Sequence, residues 1–288
     1  MSIESPVIGY TLGDQAGIGP EVIAAALKQV PQGAEYKLIG KHIPCTPGHP
    51  TQDTAEAALE HLEQAASALK SGEIDAVVTA PICKEALHRI GFRYPGQTEF
   101  FADRMGVKDF AMCLTGRRLT VVLCTTHKAI SEVPQLLTTN EIVRVAALLT
   151  RFLQRTGKTA PRLALAGLNP HNGENGAFGD EESRIIAPAL PILRSLLPTA
   201  QFDGPCVPDC VYRDAATGMY DGVVAPYHDQ ALIPLKLLDF DNAVNATIGL
   251  PRLRVSPDHG TAFGIAGKGI ANPASTLRAF EIALRSVQ

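Results

Sequence analysis

The fold is decided by three stretches with the same layout: LTVVLCTTH (119–127), RLALAGLNPH (162–171) and DGVVAPYHDQ (221–230). In each stretch an apolar run ends at a polar cluster that contains one histidine: His127, His171 or His228. Apolar runs that contain β-branched residues are typical of buried parallel strands. Because ligands in open α/β sheets bind beyond the carboxyl ends of such strands, we expect the three imidazoles to converge on one metal or one substrate.

A histidine at the end of a strand also has a second interpretation, as a hydrogen-bonded structural residue without a ligand. The long separations between the three histidines match no compact zinc-finger spacing. The repeated context favours a shared site, but the pattern alone leaves both interpretations open.

Composition and charge restrict the class of protein. The chain has 288 residues, enough for one or two domains. It is 45% apolar and 19% charged, and its net charge of −3 gives no support for nucleic-acid binding, which usually needs a basic face. No apolar run reaches the roughly 18 residues of a membrane span, and the first residues lack a basic export signal. We therefore expect a cytoplasmic protein that binds neither nucleic acid nor membrane.

The six cysteines agree with that compartment. They form no CxxC pair, and several lie inside apolar runs. In a chain of this size the pattern predicts reduced thiols rather than a disulfide framework.

Strand-like and helical segments alternate along the chain, which predicts a layered α/β fold with a mostly parallel sheet. Capping-box spacings predict helices from Asp53 to Leu69 and from about Asn140 to Arg155. The first strand-to-helix turn, GDQAGIGP (13–20), contains neither the GxGxxG pattern of the Rossmann fold nor a phosphate-binding P-loop.

Eight motifs follow one another along nearly the whole chain: GDQAGIGPEV, TAPICKEAL, YPGQTEFFA, TTH, GLNPHNGE, YHDQALIPLK, VNATIGLPRLR and DHGTAFGIAGKG. In this order they resemble the 4-hydroxythreonine-4-phosphate dehydrogenase family of vitamin B6 synthesis. The tail HGTA…IAGKGIANP is also similar to the adenosine-binding loop of isocitrate and isopropylmalate dehydrogenases. The resemblance implies their two-domain fold, which is distinct from the Rossmann fold. We expect a discontinuous cofactor-side domain (1–99 plus 241–288) and a middle domain (100–240) that dimerises and carries the metal site.

The resemblance also implies roles for particular residues. The family's metal-binding histidines match His127, His171 and His228, and one of them comes from the partner subunit of a homodimer. The family's substrate-binding residues match Thr98, Lys236, Asn245 and Arg254. By the same similarity, the cofactor loop falls at His259, Gly260 and Thr261, with Asn272 at the adenine edge.

By the same resemblance, Gln97 is a further substrate-binding position, and here the chain departs from the family pattern, which has histidine in the motif GHTEFF. A glutamine donates and accepts hydrogen bonds, but it carries neither a proton nor a charge. The segment 41–52 is also shorter than in typical members. Both departures leave the substrate open.

The reaction that the resemblance implies is a metal-dependent oxidation of 4-phosphohydroxy-L-threonine by NAD or NADP. Loss of CO2 then gives 3-amino-2-oxopropyl phosphate, a precursor of pyridoxine phosphate. Three neutral imidazoles suit zinc or cobalt, with magnesium as a further option. Asp229 and Asp209 are candidates for orienting an imidazole or a bound water, with ordinary loop or cap carboxylates as the alternative.

Other functions fit the same scaffold. A relative could oxidise threonate or erythronate 4-phosphate, or an aromatic cis-dihydrodiol, and Gln97 motivates this alternative. A further hypothesis is that the protein binds a small molecule without catalysing a reaction, and the presence of all three histidines argues against it.

Overall fold

The computed structural model describes residues 5–288, and the chain divides into two units. The first unit consists of the described residues up to Lys108 together with Val244–Gln288, and the second consists of Asp109–Ala243. Each unit contributes five neighbouring strands and its own helices, so the predicted α/β class is confirmed.

The strands are β1 (Val7–Thr11), β2 (Glu35–Leu38), β3 (Ala76–Thr79), β4 (Ala111–Thr115), β5 (Thr120–Leu123), β6 (Arg162–Ala166), β7 (Gln201–Cys206), β8 (Gly222–Ala225), β9 (Val244–Ile248) and β10 (Leu253–Pro257). The α-helices are α1 (Gly19–Leu27), α2 (Gln52–Ser71), α3 (Lys84–Arg89), α4 (Gln97–Arg104), α5 (Val133–Leu136), α6 (Thr139–Arg155), α7 (Ala189–Leu196), α8 (Pro208–Ala216), α9 (His228–Asp239) and α10 (Ala274–Arg285).

In the first unit the strands lie in the order β2-β1-β3-β10-β9. All neighbouring pairs are parallel except β10 and β9. Strand β3 is buried along its whole length, as an apolar run covered on both faces should be. Phe280 of α10 packs edge-on against Tyr10 and Tyr36, with ring centroids 6.0 and 5.5 Å away. This packing attaches the last helix to the first two strands.

In the second unit the order is β4-β5-β8-β6-β7. Only the β4–β5 pair is antiparallel. Val121 and Val223 face the core and are 0% exposed. Burying a valine side chain contributes about 1.5–3 kcal/mol, so these apolar runs hold β5 and β8 in the middle of the strand order.

Helix α6 begins where the sequence predicts. The Thr138 side chain accepts a hydrogen bond from the backbone N–H of Glu141 at 3.1 Å and caps the first turn. The helix ends at Arg155, as predicted, and its buried face consists of aliphatic residues and Phe152.

The predicted start of α2 is wrong. Thr51 rather than Asp53 is the capping residue, because the Thr51 and Thr54 side chains each accept a hydrogen bond from the other's backbone N–H, at 3.3 and 3.1 Å. These reciprocal bonds satisfy the N–H groups of Thr51 and Thr54, so Asp53 lies inside the first turn instead of capping it. The helix continues to Ser71 and ends at Gly72 in the left-handed conformation.

His61 of α2 is buried and holds the short connection between β2 and α2. Its Nε2 accepts a hydrogen bond from the backbone N–H of Lys41 at 3.2 Å, and the side chain is 1% exposed. Gly40 lies against the imidazole with a φ of +98°, and a Cβ at this position would overlap the ring. Burial lowers the pKa of His61 below its ordinary value, because it penalises the charged imidazolium.

We expect the stability of the protein to fall when the pH drops below about 6.5, the ordinary pKa of histidine. Neutral His61 contributes its full stability above that value, and the contribution is lost as the pH falls through the lower folded-state pKa. The loss includes about 1 kcal/mol for the hydrogen bond from Lys41. Urea unfolding between pH 5 and 8 measures this loss as a difference in the free energy of unfolding between the wild type and His61→Gln that changes with pH. His49→Gln, at an exposed position, is the control and should parallel the wild type; a His61→Gln curve parallel to the wild type would contradict the assignment.

All six cysteines are unpaired thiols, as predicted. Among the helices of residues 5–288, none is long and apolar enough to cross a membrane.

Candidate functional site

The three strands that precede the histidines are neighbours. Strand β8 lies between β5 and β6, and both pairs are parallel, so the carboxyl ends of all three strands meet at one edge. Beyond the strands, the backbone and side chain of Thr125 both donate to the Pro226 carbonyl, at 3.1 and 2.7 Å. The sequence layout therefore delivers all three histidines to one end of the second unit.

His127 and His228 come together there, with ring centroids 5.5 Å apart. Nδ1 of His228 lies 2.6 Å from Oδ1 of Asp229, and a proton on this nitrogen leaves the Nε2 lone pair available to a ligand. Asp209, the second candidate for orienting an imidazole, instead lies in the first turn of α8 beside the thiol of Cys210. Asp229 is thus the carboxylate that orients an imidazole of this pair.

His171 lies outside the pair and begins an unusual left-handed turn. The residues from His171 to Asn175 all have positive φ, between +41° and +74°. His127 also has a positive φ of +48°. For residues other than glycine this conformation costs about 1–2 kcal/mol each, and such strain concentrates at functional sites. Among residues 5–288, no three His, Cys, Asp or Glu side chains lie close enough together to hold a metal ion.

Glu182 anchors the His171 turn, a role that the sequence reasoning missed. The side chain is 4% exposed, and Oε1 accepts from the backbone N–H groups of Leu168 and Asn169 at 2.8 and 2.7 Å. Its Oε2 accepts from Nδ2 of Asn169 at 3.0 Å. The only signal in the sequence is a run of three acidic residues (180–182) after a glycine-rich loop, which does not distinguish an anchor from a solvated surface.

In the first unit, Arg254 of β10 is a buried cation. Its side chain is 2% exposed, and Nε and Nη2 donate to Oγ1 of Thr79 at 2.9 and 2.8 Å, while Nη1 donates to Oγ1 of Thr247 at 3.4 Å. Within the described part of the chain this guanidinium has hydroxyl partners but no carboxylate partner. Burial lowers the pKa of Arg254 to about 9, against the opposing effect of Glu99, so the group is charged at neutral pH.

Two further candidates lie near Arg254 in this unit. Oγ1 of Thr98 is 3.2 Å from Oγ1 of Thr247, the same hydroxyl that accepts from Arg254. Asn245 lies on β9 opposite Ser256 of β10. Lys236 belongs to the second unit, where its Nζ lies 5.8 Å from the Phe240 ring centroid. Thr98 and Arg254 are therefore joined through one hydroxyl, an arrangement that residue spacing did not predict.

The candidate cofactor loop is fixed to the glycine-rich turn after β1. The Ile18 N–H donates to the Thr261 carbonyl at 2.9 Å, and a side chain at Gly17 would overlap Thr261. Nδ1 of His259 lies 3.1 Å from the Gly260 carbonyl, whereas its Nε2 is buried and has no hydrogen-bond partner within residues 5–288. Burial lowers the pKa of His259 and favours the neutral ring. Oδ1 of Asn272 accepts from the N–H of Ala274 at 3.0 Å, at the start of α10.

A cavity of about 660 Å³ lies beside this loop. Its volume is within the range of small-molecule sites. Phe263 of the loop contributes an aromatic ring to the lining, and α2 and α3 contribute most of the rest. The lining residues are Pro50, Thr51, Gln52, Ala55, Glu56, Cys83, Glu85, Ala86, Arg89, Ile90 and Phe263.

Comparison with known proteins matches residues 15–283 to the family described as pyridoxal phosphate biosynthetic protein PdxA. The 4-hydroxythreonine-4-phosphate dehydrogenase of Desulfosudis oleivorans is 41% identical over 97% of this chain and 95% of the relative. The D-threonate 4-phosphate dehydrogenase of Pectobacterium atrosepticum is 37% identical over 98% of this chain and 99% of the relative.

Solved structures give the same picture. The crystal structure of 4-hydroxythreonine-4-phosphate dehydrogenase from Klebsiella pneumoniae superposes with a TM-score of 0.83 at 37% identity and covers 100% of both chains. Isocitrate dehydrogenase from Methylococcus capsulatus superposes with a TM-score of 0.51 at 16% identity, over 95% of this chain and 83% of that chain. The second likeness concerns the fold alone and agrees with the fold class expected from the sequence.

Proposed function

Because the chain belongs to the PdxA family of pyridoxal phosphate biosynthetic proteins, we propose that it is a dehydrogenase that oxidises 4-phosphohydroxy-L-threonine with NAD or NADP. Loss of CO2 from the oxidised product then yields 3-amino-2-oxopropyl phosphate. The substrate is a small phosphorylated hydroxy acid, and the product is a precursor of pyridoxine phosphate.

The observation that carries the proposal is the buried guanidinium of Arg254. A buried cation without a carboxylate partner is costly, and an anionic ligand compensates that cost. Arginine binds phosphate bidentately. The hydroxyl of Thr98 is connected to the Arg254 guanidinium through the hydroxyl of Thr247. We assign Arg254 to the substrate phosphate, with Thr98 and Asn245 as neighbouring hydrogen-bonding groups. Lys236, in the second unit, is a further candidate cation by the family match alone.

The histidines fit a divalent metal as a set of nitrogen donors. His127 and His228 supply two imidazoles from one subunit, and Asp229 orients His228 through Nδ1. Zinc or cobalt suits these donors better than magnesium does. When bound, the metal polarises the substrate hydroxyl and lowers its pKa. The chain's own contribution is to hold two imidazoles at the strand ends.

The third ligand is His171 of a partner subunit. His171 is exposed and separate from the pair in its own chain, so the site is incomplete within one subunit. Large apolar side chains are exposed shortly after each histidine: Ile130 is 65% exposed, Phe178 52% and Leu237 84%. Exposed apolar side chains around an incomplete site favour a homodimer interface.

The cofactor belongs to the first unit in this proposal. His259, Gly260 and Thr261 would hold the adenosine part, with Asn272 at the adenine edge. Support comes from the buried Nε2 of His259, which has no hydrogen-bond partner in the part of the chain that the structure describes, and from the cavity beside Phe263. When bound, the nicotinamide accepts the hydride from the substrate alcohol.

A second candidate substrate is threonate 4-phosphate. It also presents a phosphate to Arg254, and the Pectobacterium relative that carries this name is 37% identical. Gln97 in place of the family's histidine favours this alternative. A diol without an anionic group would supply no negative charge to Arg254, which argues against the hypothesis that the substrate is a cis-dihydrodiol.

Steady-state assays with NAD and NADP test the proposal. We expect turnover of 4-phosphohydroxy-L-threonine with kcat/KM of at least about 10⁴ M⁻¹ s⁻¹, an ordinary value for an enzyme on its own substrate. The same assay with threonate 4-phosphate is the comparison. Turnover of threonate 4-phosphate without turnover of 4-phosphohydroxy-L-threonine would replace the first substrate by the second.

A further inference from the structure

The turn that carries His171 is held in a strained backbone conformation. Its residues from His171 to Asn175 all lie in the left-handed region, and only one of them is a glycine. Backbone of this kind persists only where the surrounding contacts over-determine it. The position of the His171 imidazole therefore depends on the contacts that fix the turn.

Glu182 fixes the end at which the chain enters the turn. Through Oε1 its buried carboxylate accepts from the backbone N–H groups of Leu168 and Asn169, at 2.8 and 2.7 Å. Through Oε2 it accepts from Nδ2 of Asn169 at 3.0 Å. Gly173 leaves room for this oxygen, since a Cβ at that position would lie 2.9 Å from it. One side chain thus contacts the residues before His171 and the middle of the turn.

Glu182 itself belongs to a packed part of the second unit. The residues Ile185 and Ile186 are buried, and the Thr139 hydroxyl at the start of α6 donates to the Ile185 carbonyl at 2.8 Å. Hydrogen bonds to an ionised acceptor are roughly twice as strong as neutral ones. The carboxylate therefore connects the strained turn to the core of its own subunit, although no hydrogen bond joins it to His171 within residues 5–288.

We infer that Glu182 is a positioning residue that holds His171 of its own chain ready for the metal site of the partner subunit. The inference rests on the proposed function, which assigns the third imidazole to a partner subunit. Groups that orient a metal ligand typically change metal affinity or activity by about 10- to 100-fold. A preformed turn needs little further ordering when the metal binds, so loss of the anchor should weaken metal binding while all three histidines remain.

Glu182→Met tests the positioning role, since methionine is similar in size and has no carboxylate to accept the hydrogen bonds. We expect the Kd for Zn²⁺, measured by competition with a chromophoric chelator, to rise about 10- to 100-fold. In the metal-free protein, hydrogen exchange at the Leu168 and Asn169 amides should accelerate at least about tenfold, because each amide loses a charged acceptor. A high Zn²⁺ concentration should restore much of the activity of Glu182→Met and none of the activity of His171→Ala.

Asp180→Asn is the matched control in the same acidic run. The Asp180 carboxylate lies 3.3 Å from Nε of Arg184, and both side chains are exposed. Because exposed ion pairs contribute little, the Kd for Zn²⁺ and the amide exchange rates should remain at wild-type values.

Glu182→Gln is the conservative variant. Its Oε1 can still accept from both backbone N–H groups, whereas the charge and the hydrogen bond from Nδ2 of Asn169 are lost. We expect the Kd for Zn²⁺ to rise only about 3- to 10-fold. A wild-type Kd in this variant would overturn the inference even if Glu182→Met does not fold.

Mixed dimers show in which site Glu182 acts. A dimer of Glu182→Met with His228→Ala retains one intact site, because the His228→Ala subunit supplies a normal His171 to its partner. This dimer should have about half of wild-type activity. In a dimer of Glu182→Met with His171→Ala, the single complete set of histidines includes the displaced His171. Its activity should therefore stay below that of the Glu182→Met homodimer.

The outcomes separate the inference from the proposed function. A wild type that binds Zn²⁺ but oxidises neither phosphorylated substrate would count against the proposed substrate alone, because the Zn²⁺ affinities still test Glu182. Low activity in both mixed dimers would overturn the action across the interface. An active wild type whose Kd for Zn²⁺ and amide exchange are unchanged in Glu182→Met would overturn the role of Glu182 and leave the proposed function standing.

Discussion

The variants His127→Ala, His171→Ala and His228→Ala are each expected to lose bound metal and at least about 1,000-fold in kcat/KM. Metal ions supply several kcal/mol of transition-state stabilisation, and each loss of about 1.4 kcal/mol costs a factor of ten. Metal content by elemental analysis and steady-state kinetics measure the two effects separately. Folding should survive, because His127 and His171 are exposed and His228 is half-buried.

Mixed dimers test whether His171 acts across the interface. Co-expression of His171→Ala and His228→Ala subunits with different affinity tags, followed by tandem purification, yields dimers with one subunit of each kind. If His171 completes the partner's site, each mixed dimer has one intact site, and we expect about half of wild-type activity.

The pair His127→Ala with His228→Ala is the control. Both residues lie in the same half of the site, so no mixed dimer of these two variants contains an intact set of ligands. This combination should remain inactive. Inactive mixed dimers of the first combination would place His171 in the site of its own subunit, and retained metal in all three variants would refute the ligand set.

Arg254→Met is expected to reduce kcat/KM by about 30- to 4,000-fold without reducing the stability of the protein. Removing one partner of a buried charge-assisted contact costs about 2–5 kcal/mol of binding. In the free protein, however, the substitution removes a buried cation that, in the described part of the chain, donates to hydroxyl groups and to no carboxylate. Replacing buried charges by apolar side chains of similar size is often neutral or stabilising. Urea unfolding and steady-state kinetics with the phosphorylated substrate measure the two quantities.

Arg252→Met is the matched control two residues away. Arg252 donates to the carbonyl of Leu69 at 3.1 Å, which is a structural contact. Its removal should cost about 1 kcal/mol of stability and leave kcat/KM unchanged. A large loss of stability in Arg254→Met with unchanged substrate binding would reverse the roles of the two arginines.

The secondary structure near the site followed from local patterns. The apolar runs before His127, His171 and His228 form parallel, neighbouring strands, because a run of buried aliphatic residues has few alternatives to a covered strand. The start of α2 was misplaced by two residues, since Thr51 and Asp53 are both good capping residues in sequence. In the structure Thr51 has the extended backbone of a capping residue, and its side chain accepts from the backbone N–H of Thr54.

The sequence predicted which residue types follow the strand ends, namely the histidines after β5, β6 and β8. The order of motifs predicted the family, and the resemblance implied a fold other than the Rossmann fold, in agreement with the absence of GxGxxG. Both rest on residue identity along the chain, which needs no knowledge of distances.

Tertiary structure alone decided which groups meet and which stay unmatched. It brings His127 to His228, turns His171 away through a left-handed run, and buries Arg254 among hydroxyl groups. It also leaves Oε1 of Gln97 without a donor among the described residues. These features depend on packing between segments far apart in the chain, and local propensity carries no information about the burial or the partners that result.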